Sequence, residues 1–161
     1  MPDPAELIVQ LVAATEQVFR TMVFTELEQA SPIEGDALRP AANVVGIVGF
    51  AGTVSGLVAL YSTLEGAKEI AASMLGTSAA QVNGEMPDAI GELTNMIAGM
   101  FRLRIANRGE SVAISIPSVT VGSDFYTRFA TDVRRVLCPF RMGDGREVCV
   151  ELILTRTQSC Q

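Results

Sequence analysis

The chain has 161 residues, of which 48% are hydrophobic and 19% are charged, and its formal net charge is −6. This length and hydrophobic fraction predict one folded domain over residues 1–161 and exclude an intrinsically disordered chain. Twelve Lys and Arg residues against eighteen Asp and Glu residues leave no basic surface for phosphate backbones, so no nucleic-acid partner is expected.

Histidine is absent from the sequence, which excludes the commonest general base and the Ser-His and Cys-His nucleophile systems. The three cysteines, Cys138, Cys149 and Cys160, are odd in number and have no CxxC spacing. We therefore expect reduced thiols and no metal site. Residues 1–4 lack the basic flank and apolar core of a secretory signal, so a cytoplasmic location is expected.

A long amphipathic helix is predicted at the start of the chain. Asp3, Pro4 and Glu6 supply an N-cap, a first-turn proline and an acidic residue three positions after the cap. Apolar residues then recur at helical spacing to about Leu27. Turn and loop residues follow between Ser31 and Pro40 and end the helix.

Ala41 to Leu64 contains no charged residue and is long enough to cross a bilayer. Its glycines and β-branched runs favour a buried two-stranded hairpin over a membrane span, so no membrane association is expected. Gly46, Gly49 and Gly52 do not have the spacing of a dinucleotide-binding loop and are predicted to be bulge and turn residues.

The remainder of the chain predicts two more helices and three strands. A cap and an acidic residue at Ser62 to Glu65, with Gly76 at the far end, predict the second helix. A connector from Thr77 to Gly84 follows. The third helix is predicted from Pro87 to about Asn107. Strands are predicted at Val112–Val121, Arg134–Met142 and Glu147–Thr155, the last two joined by a hairpin turn at Gly143-Asp144-Gly145.

This element order, α-β-β-α-α-β-β-β, predicts an α+β fold with a mixed sheet and helices packed on one face. Pro117 lies inside the first of the last three strands, which places that strand at an edge or a bulge. An edge strand is a candidate dimerisation surface.

The third helix has an unusual polar face. At 100° per residue its core face would be formed by Ile90, Leu93, Ile97, Met100 and Phe101. Asp88, Glu92, Asn95, Gly99 and Arg102 lie together on the opposite side. Mid-helix Asn is less favourable than Ala by about 0.7 kcal/mol, and Gly by about 1 kcal/mol. Because these residues lower the intrinsic stability of the helix, its polar face is a candidate docking surface for a partner.

Structural explanations compete for some of these residues. Asp88 near the helix start can act as a cap or interact with the helix dipole. Glu92 can be an ordinary solvated glutamate, and Arg102 a surface charge. Asn95 has no such explanation, and Gly99 beside it would let another backbone come close.

The segment from Asp88 to Gly99, DAIGELTNMIAG, followed by Pro117, resembles the D/S-xxx-E-xx-N…P signature of the CheC/CheX/FliY phosphatases of bacterial chemotaxis. Residues 18–22, VFRTM, resemble the opening helix of CheX-type members, and with the element order the resemblance spans nearly the whole chain. CheC-type members repeat the motif in a first helix, where residues 16–19 here read EQVF without Asn. The single motif favours the CheX-like branch.

The resemblance implies a hydrolase that dephosphorylates the aspartyl-phosphate of a CheY-like receiver domain in two-component signalling. Asn95 would orient the attacking water, and Glu92 would pair with the receiver's active-site lysine. Asp88, Gly99 and Pro117 are assigned to partner binding. No cofactor or metal of its own is implied, because the receiver supplies the Mg²⁺, and a homodimer is expected. This chemistry needs no histidine, since positioning supplies most of the catalysis.

Two other functions stay open on the sequence. A non-catalytic adaptor could use the same helix to bind a receiver or a flagellar-switch protein without hydrolysis. A hydrolase using Asp88 and Glu92 as an acid and base pair is disfavoured, because two carboxylates on one exposed helix face lack the burial that acid and base work requires.

Overall fold

The computed structural model describes residues 2–35, 40, 42–106, 108–123, 128–129 and 132–156. Part of the predicted loop (residues 36–39), the first residue of the predicted hairpin segment (Ala41), the predicted end of the third helix (Asn107) and Cys160 lie outside the described residues. The helices are α1 (Pro4–Val18), α2 (Leu64–Leu75) and α3 (Met86–Ala106). The strands are β1 (Glu28–Gln29), β2 (Ile33–Glu34), β3 (Val44–Gly52), β4 (Gly56–Ser62), β5 (Val112–Ile114), β6 (Ser118–Val121), β7 (Val133–Arg141) and β8 (Glu147–Thr155).

The described strands form one sheet in the order β1-β7-β8-β4-β3-β5, with β2 also paired to β7 and β6 also paired to β3. Each of these pairings is antiparallel. The α+β class and the order of the main elements are therefore confirmed, while the sheet is antiparallel where a mixed one was predicted. Hairpins join β3 to β4 and β7 to β8, and short connections of this kind produce antiparallel neighbours.

The three helices cover one face of this sheet, as predicted. One large apolar cluster joins residues of α1, α2 and α3 to alternate residues of the central strands, such as Val48, Val58, Val150 and Val136. The opposite face carries a smaller cluster without helical residues. Its buried members are Val45, Ala59, Tyr61, Leu137 and Ile153. Strict alternation along each strand separates the two clusters.

The first helix begins as predicted but ends earlier. The Asp3 carboxylate accepts a hydrogen bond from the Ala5 backbone N–H at 3.0 Å. Residues Phe19–Val23 form one π-helical turn, and Phe24 then adopts a left-handed conformation with φ 60°. The helix therefore stops short of Leu27. The chain continues into β1 and β2, which have two residues each, too short to show strand alternation in the sequence.

The uncharged segment forms the predicted hairpin, with β3 and β4 paired from Val44 opposite Ser62 to Phe50 opposite Gly56. In the part of the chain that the structure describes, no helix is long and apolar enough to cross a membrane. Thr63, rather than Ser62, caps α2 by accepting a hydrogen bond from the Gly66 N–H at 3.0 Å. Gly76 ends α2 in the left-handed conformation, as predicted.

The last hairpin separates two cysteines. Its register places Cys138 opposite Val150 and Cys149 opposite Pro139. Cys138 belongs to the cluster under the helices and Cys149 packs against the cluster on the opposite face. Both are free thiols. Paired residues of two neighbouring strands point to the same face of a sheet, and successive residues of one strand point to opposite faces. Cys149 precedes Val150, the partner of Cys138, so the two sulfur atoms lie on opposite faces and are held apart.

Candidate functional site

Helix α3 carries the candidate site, and its buried side matches the prediction. Ile90, Leu93, Ile97 and Phe101 are at most 1% exposed, while Met100 is only partly buried. The helix spans Met86–Ala106, within one residue of the predicted limits. An apolar stripe this continuous fixes the rotation of the helix on the sheet, and so determines which residues face outward.

A glycine on the neighbouring strand allows α3 to approach the sheet closely. Gly46 lies opposite Leu60 in regular β3–β4 pairing, and a Cβ atom at Gly46 would collide with the Thr94 hydroxyl. The prediction that Gly46 is a bulge or turn residue is therefore wrong. Thr94 is fully buried and donates a hydrogen bond to the Ile90 carbonyl at 2.7 Å. This close contact holds the backbone directly before Asn95.

Four predicted site residues lie on the outward side of α3. Asp88 and Glu92 are exposed, and Asn95 and Gly99 are partly exposed. At 1.5 Å per residue, Glu92 and Asn95 are about 4.5 Å apart along the helix axis, and the row from Asp88 to Gly99 extends about 16 Å. Within the described residues, no hydrogen bond or ion pair engages the side chains of Asp88, Glu92 or Asn95. Their polar groups are therefore available to a partner.

The two glycines of α3 have different surroundings. A Cβ atom at Gly99 would have no heavy atom of a neighbouring element within 4 Å, whereas one at Gly91 would lie 3.2 Å from the Val119 Cγ2 and 3.9 Å from Pro117. Gly91 therefore lets β6 pack closely against α3, a packing role that no local sequence pattern indicates. Nothing in the described fold requires a glycine at position 99.

Pro117 lies beside this helix, at the sheet edge, as predicted. Residues 112–121 form two strands, β5 and β6, and not the single strand predicted. Both pair with β3, and residues 115–117 interrupt them. Because proline cannot donate a ladder hydrogen bond, it is compatible with this break. Pro117 lies close enough to Gly91 that a Cβ atom there would be 3.9 Å from it, so the two parts of the sequence motif are neighbours in the fold.

The geometry defines what this face can do chemically. It presents two exposed carboxylates and an amide that can donate and accept hydrogen bonds. The carboxylates lack the burial that an acid and base pair needs, which argues against the two-carboxylate hydrolase. No group of three or more Asp, Glu or Cys side chains among the described residues is placed to hold a metal ion. The face is suited to binding another macromolecule.

The fold and this face define an α+β domain whose exposed polar residues project from a single long helix. The model of a family described as "Chemotaxis phosphatase CheX" matches residues 44–141. The chain belongs to the CheX family of chemotaxis phosphatases, which confirms the resemblance seen in the sequence.

Individual relatives agree with this assignment. The chain is 26% identical over 121 residues to the Thermotoga maritima protein named "CheY-P phosphatase CheX", covering 74% of this chain and 78% of that one. The crystal structure of CheX from Desulfovibrio desulfuricans is similar with a TM-score of 0.83 and 26% identity, over 92% of this chain and 99% of that one. The crystal structure of a CheX-CheY-BeF3-Mg²⁺ complex from Borrelia burgdorferi is similar in fold with a TM-score of 0.76 and 22% identity, over 92% and 97%.

Proposed function

We propose that this protein hydrolyses the aspartyl-phosphate of a CheY-like receiver domain, with the chemistry directed by Glu92 and Asn95. One observation carries the proposal: both side chains stand on the outward side of α3 without a partner among the described residues. The matching T. maritima relative, named a CheY-P phosphatase, supports the choice of substrate.

In this proposal, Asn95 orients the water molecule that attacks the phosphorus atom. Its amide can accept a hydrogen bond from a water molecule and hold it in line with the phosphorus atom. This role depends on geometry and not on a pKa, because phosphoryl transfer is governed by positioning and by stabilisation of the phosphoryl oxygens. The rigid contact of Thr94 with Gly46 supports this function, since a positioned side chain must be held on a fixed backbone.

Glu92 orients the receiver. It lies one helical turn before Asn95, so a lysine paired with Glu92 fixes the second protein while Asn95 reaches the phosphorylated aspartate. The acidic face would repel a bare phosphate, but it complements a lysine next to a metal-neutralised phosphoryl group. The Mg²⁺ belongs to the receiver. The B. burgdorferi complex contains CheY together with Mg²⁺ and BeF3, and BeF3 stands in for the phosphoryl group.

Asp88, Gly99 and Pro117 complete the partner surface in this proposal. Asp88 extends the acidic row by one turn toward the start of α3, and the open space at Gly99 admits a receiver backbone. Pro117 supports the helix from the side through Gly91. We also propose that the protein is a homodimer, as expected for CheX-type members. Light scattering tests this, with twice the mass of the 161-residue chain as the expected result.

The decay of a phosphorylated receiver from the same organism, with catalytic amounts of this protein, tests the function. Asn95→Ala should reduce turnover about 10²- to 10³-fold, the usual cost of removing one positioned hydrogen-bonding group, and should retain much of the binding. Glu92→Ala should lose binding and turnover together. Asn83→Ala and Glu69→Ala, which change exposed residues of the same types outside the motif, serve as controls and should behave as the unmodified protein.

Near-normal turnover by Asn95→Ala would refute the proposed role of its amide. Binding of the phosphorylated receiver without any change in phosphate lifetime would instead establish the adaptor. That alternative shares the helix face but lacks hydrolysis.

A further inference from the structure

Ile116 is an exposed apolar side chain close to the candidate site. It is 89% exposed, more than the other exposed large hydrophobic residues of the described chain. It lies in the interruption between β5 and β6, at the edge of the sheet beside α3. Single exposed apolar residues are common on protein surfaces, so exposure alone assigns Ile116 no role.

The backbone around Ile116 is firmly held. The Ser115 N–H donates to the Gly49 carbonyl at 2.8 Å, and the Ser115 hydroxyl accepts from the Gly49 N–H at 2.9 Å. The same hydroxyl donates to the Ile116 carbonyl at 3.0 Å. Pro117 restricts the next backbone dihedral. The isoleucine is therefore presented outward from a fixed backbone, which reduces the entropy lost when a partner covers it.

Ile116 also borders the motif. Its neighbour Pro117 would lie 3.9 Å from a Cβ atom on Gly91, and Gly91 immediately precedes Glu92 and is one helical turn before Asn95. A receiver that contacts both motif side chains would therefore extend over this edge. Protein interfaces commonly combine a few apolar anchors with surrounding polar contacts. The outward residues of α3 between Asp88 and Gly99 are mostly polar, and Ile116 supplies an apolar anchor next to them.

We propose that Ile116 is a docking residue that inserts into an apolar part of the phosphorylated receiver next to its active-site lysine. The inference rests on the proposed receiver phosphatase and adds a residue that determines affinity without taking part in the chemistry. A positioning contact of this kind acts on complex formation, so its loss affects KM and Kd and not kcat.

The experiment uses the full chain, Mg²⁺ and a receiver activated with beryllofluoride for Kd, and the phosphorylated receiver for KM and kcat. Ile116→Ala removes about three methylene-sized groups, which corresponds to a rise of about 10- to 50-fold in Kd and KM with kcat retained. Ile116→Val should restore most of the affinity. Leu75→Ala removes a half-exposed apolar side chain at the end of α2 and should leave Kd and KM unchanged.

The outcomes separate this inference from the function beneath it. If the unmodified protein binds the receiver and Ile116→Ala binds equally well, the docking role is wrong while the phosphatase or adaptor function stands. If Ile116→Ala changes only the oligomeric state, measured by light scattering, the residue belongs to an interface between copies of this chain and the inference is overturned. If the unmodified protein neither binds nor dephosphorylates any receiver, the proposed function and this inference fail together.

Discussion

Replacing Gly99 with alanine is expected to stabilise the protein and, at the same time, to weaken its interaction with a receiver domain. The added methyl group meets no heavy atom of a neighbouring element within 4 Å, so the native fold accommodates it without rearrangement. Position 99 lies seven residues before the end of α3, well inside the helix. There alanine is favoured over glycine by about 0.8–1.0 kcal/mol.

The opposite effect arises at the proposed interface. A receiver backbone that packs against the bare Gly99 surface has no room for a methyl group. Overpacking of a close contact costs about 1–3 kcal/mol, equivalent to an increase of about 5- to 150-fold in KM for the phosphorylated receiver. One substitution therefore changes stability and function in opposite directions.

Urea unfolding and receiver dephosphorylation measure the two effects. A gain of about 1 kcal/mol raises the urea midpoint by about 0.5 M for a slope near 2 kcal/mol/M, and raises Tm by about 2–4 °C. Gly91→Ala is the matched control on the same helix. Its methyl group would lie 3.2 Å from Val119, so overpacking offsets the helix-propensity gain and the net result is destabilisation of up to about 2 kcal/mol.

Two results would refute this reasoning. A loss of stability in Gly99→Ala would show that the space around Gly99 is not open. A gain of stability with unchanged KM would show that the receiver does not approach this part of α3, and Gly99 would have to be removed from the partner surface.

Two further predictions concern the sheet. Arg135 donates to the Glu151 carboxylate from Nε at 2.6 Å and from Nη2 at 3.0 Å, and the Tyr61 hydroxyl donates to the same carboxylate at 3.0 Å. Arg135→Met would leave this buried carboxylate without its cation. The free energy of unfolding, measured in urea, should therefore fall by about 3–5 kcal/mol. Combining it with Glu151→Gln should recover much of that loss, and a single variant as stable as the unmodified protein would contradict this account. Burial raises the pKa of Cys138 to about 12 and that of Cys149 to about 11, so less than about 1% of either thiol is ionised at pH 8. Mass spectrometry after iodoacetamide treatment should find both cysteines unmodified in the native protein and alkylated in urea, and rapid native alkylation would show that the thiols are accessible and ionised.

Local sequence patterns were sufficient for most of the secondary structure. The cap formed by Asp3, the hairpin around Gly143 and the apolar stripe of α3 were predicted correctly, because each depends on residues near one another in the chain. The identification of the outward row of α3 followed for the same reason. A helix of known period has only one face opposite its buried residues.

The features that were mispredicted depend on partners distant in sequence. β1 and β2 have two residues each and are strands through their pairing with β7. Gly46 was interpreted as a bulge or turn residue because its neighbour across the layer, Thr94, is 48 positions away. The prediction of one strand over Val112–Val121 was wrong for the same reason. The strand is interrupted where Ser115 forms hydrogen bonds with Gly49, a residue distant in sequence.

The amino-acid sequence by itself determined the composition, the order of the main elements and the motif residues Asp88, Glu92 and Asn95, because local spacing and side-chain chemistry carry that information. Only the tertiary structure decided that Gly91 packs against β6 while Gly99 stays open, that Cys138 and Cys149 lie on opposite faces, and that Ile116 is exposed at the edge of the sheet beside α3. These relations depend on strand register and on the distance between α3 and the sheet. Both are set by long-range packing, which no local pattern encodes.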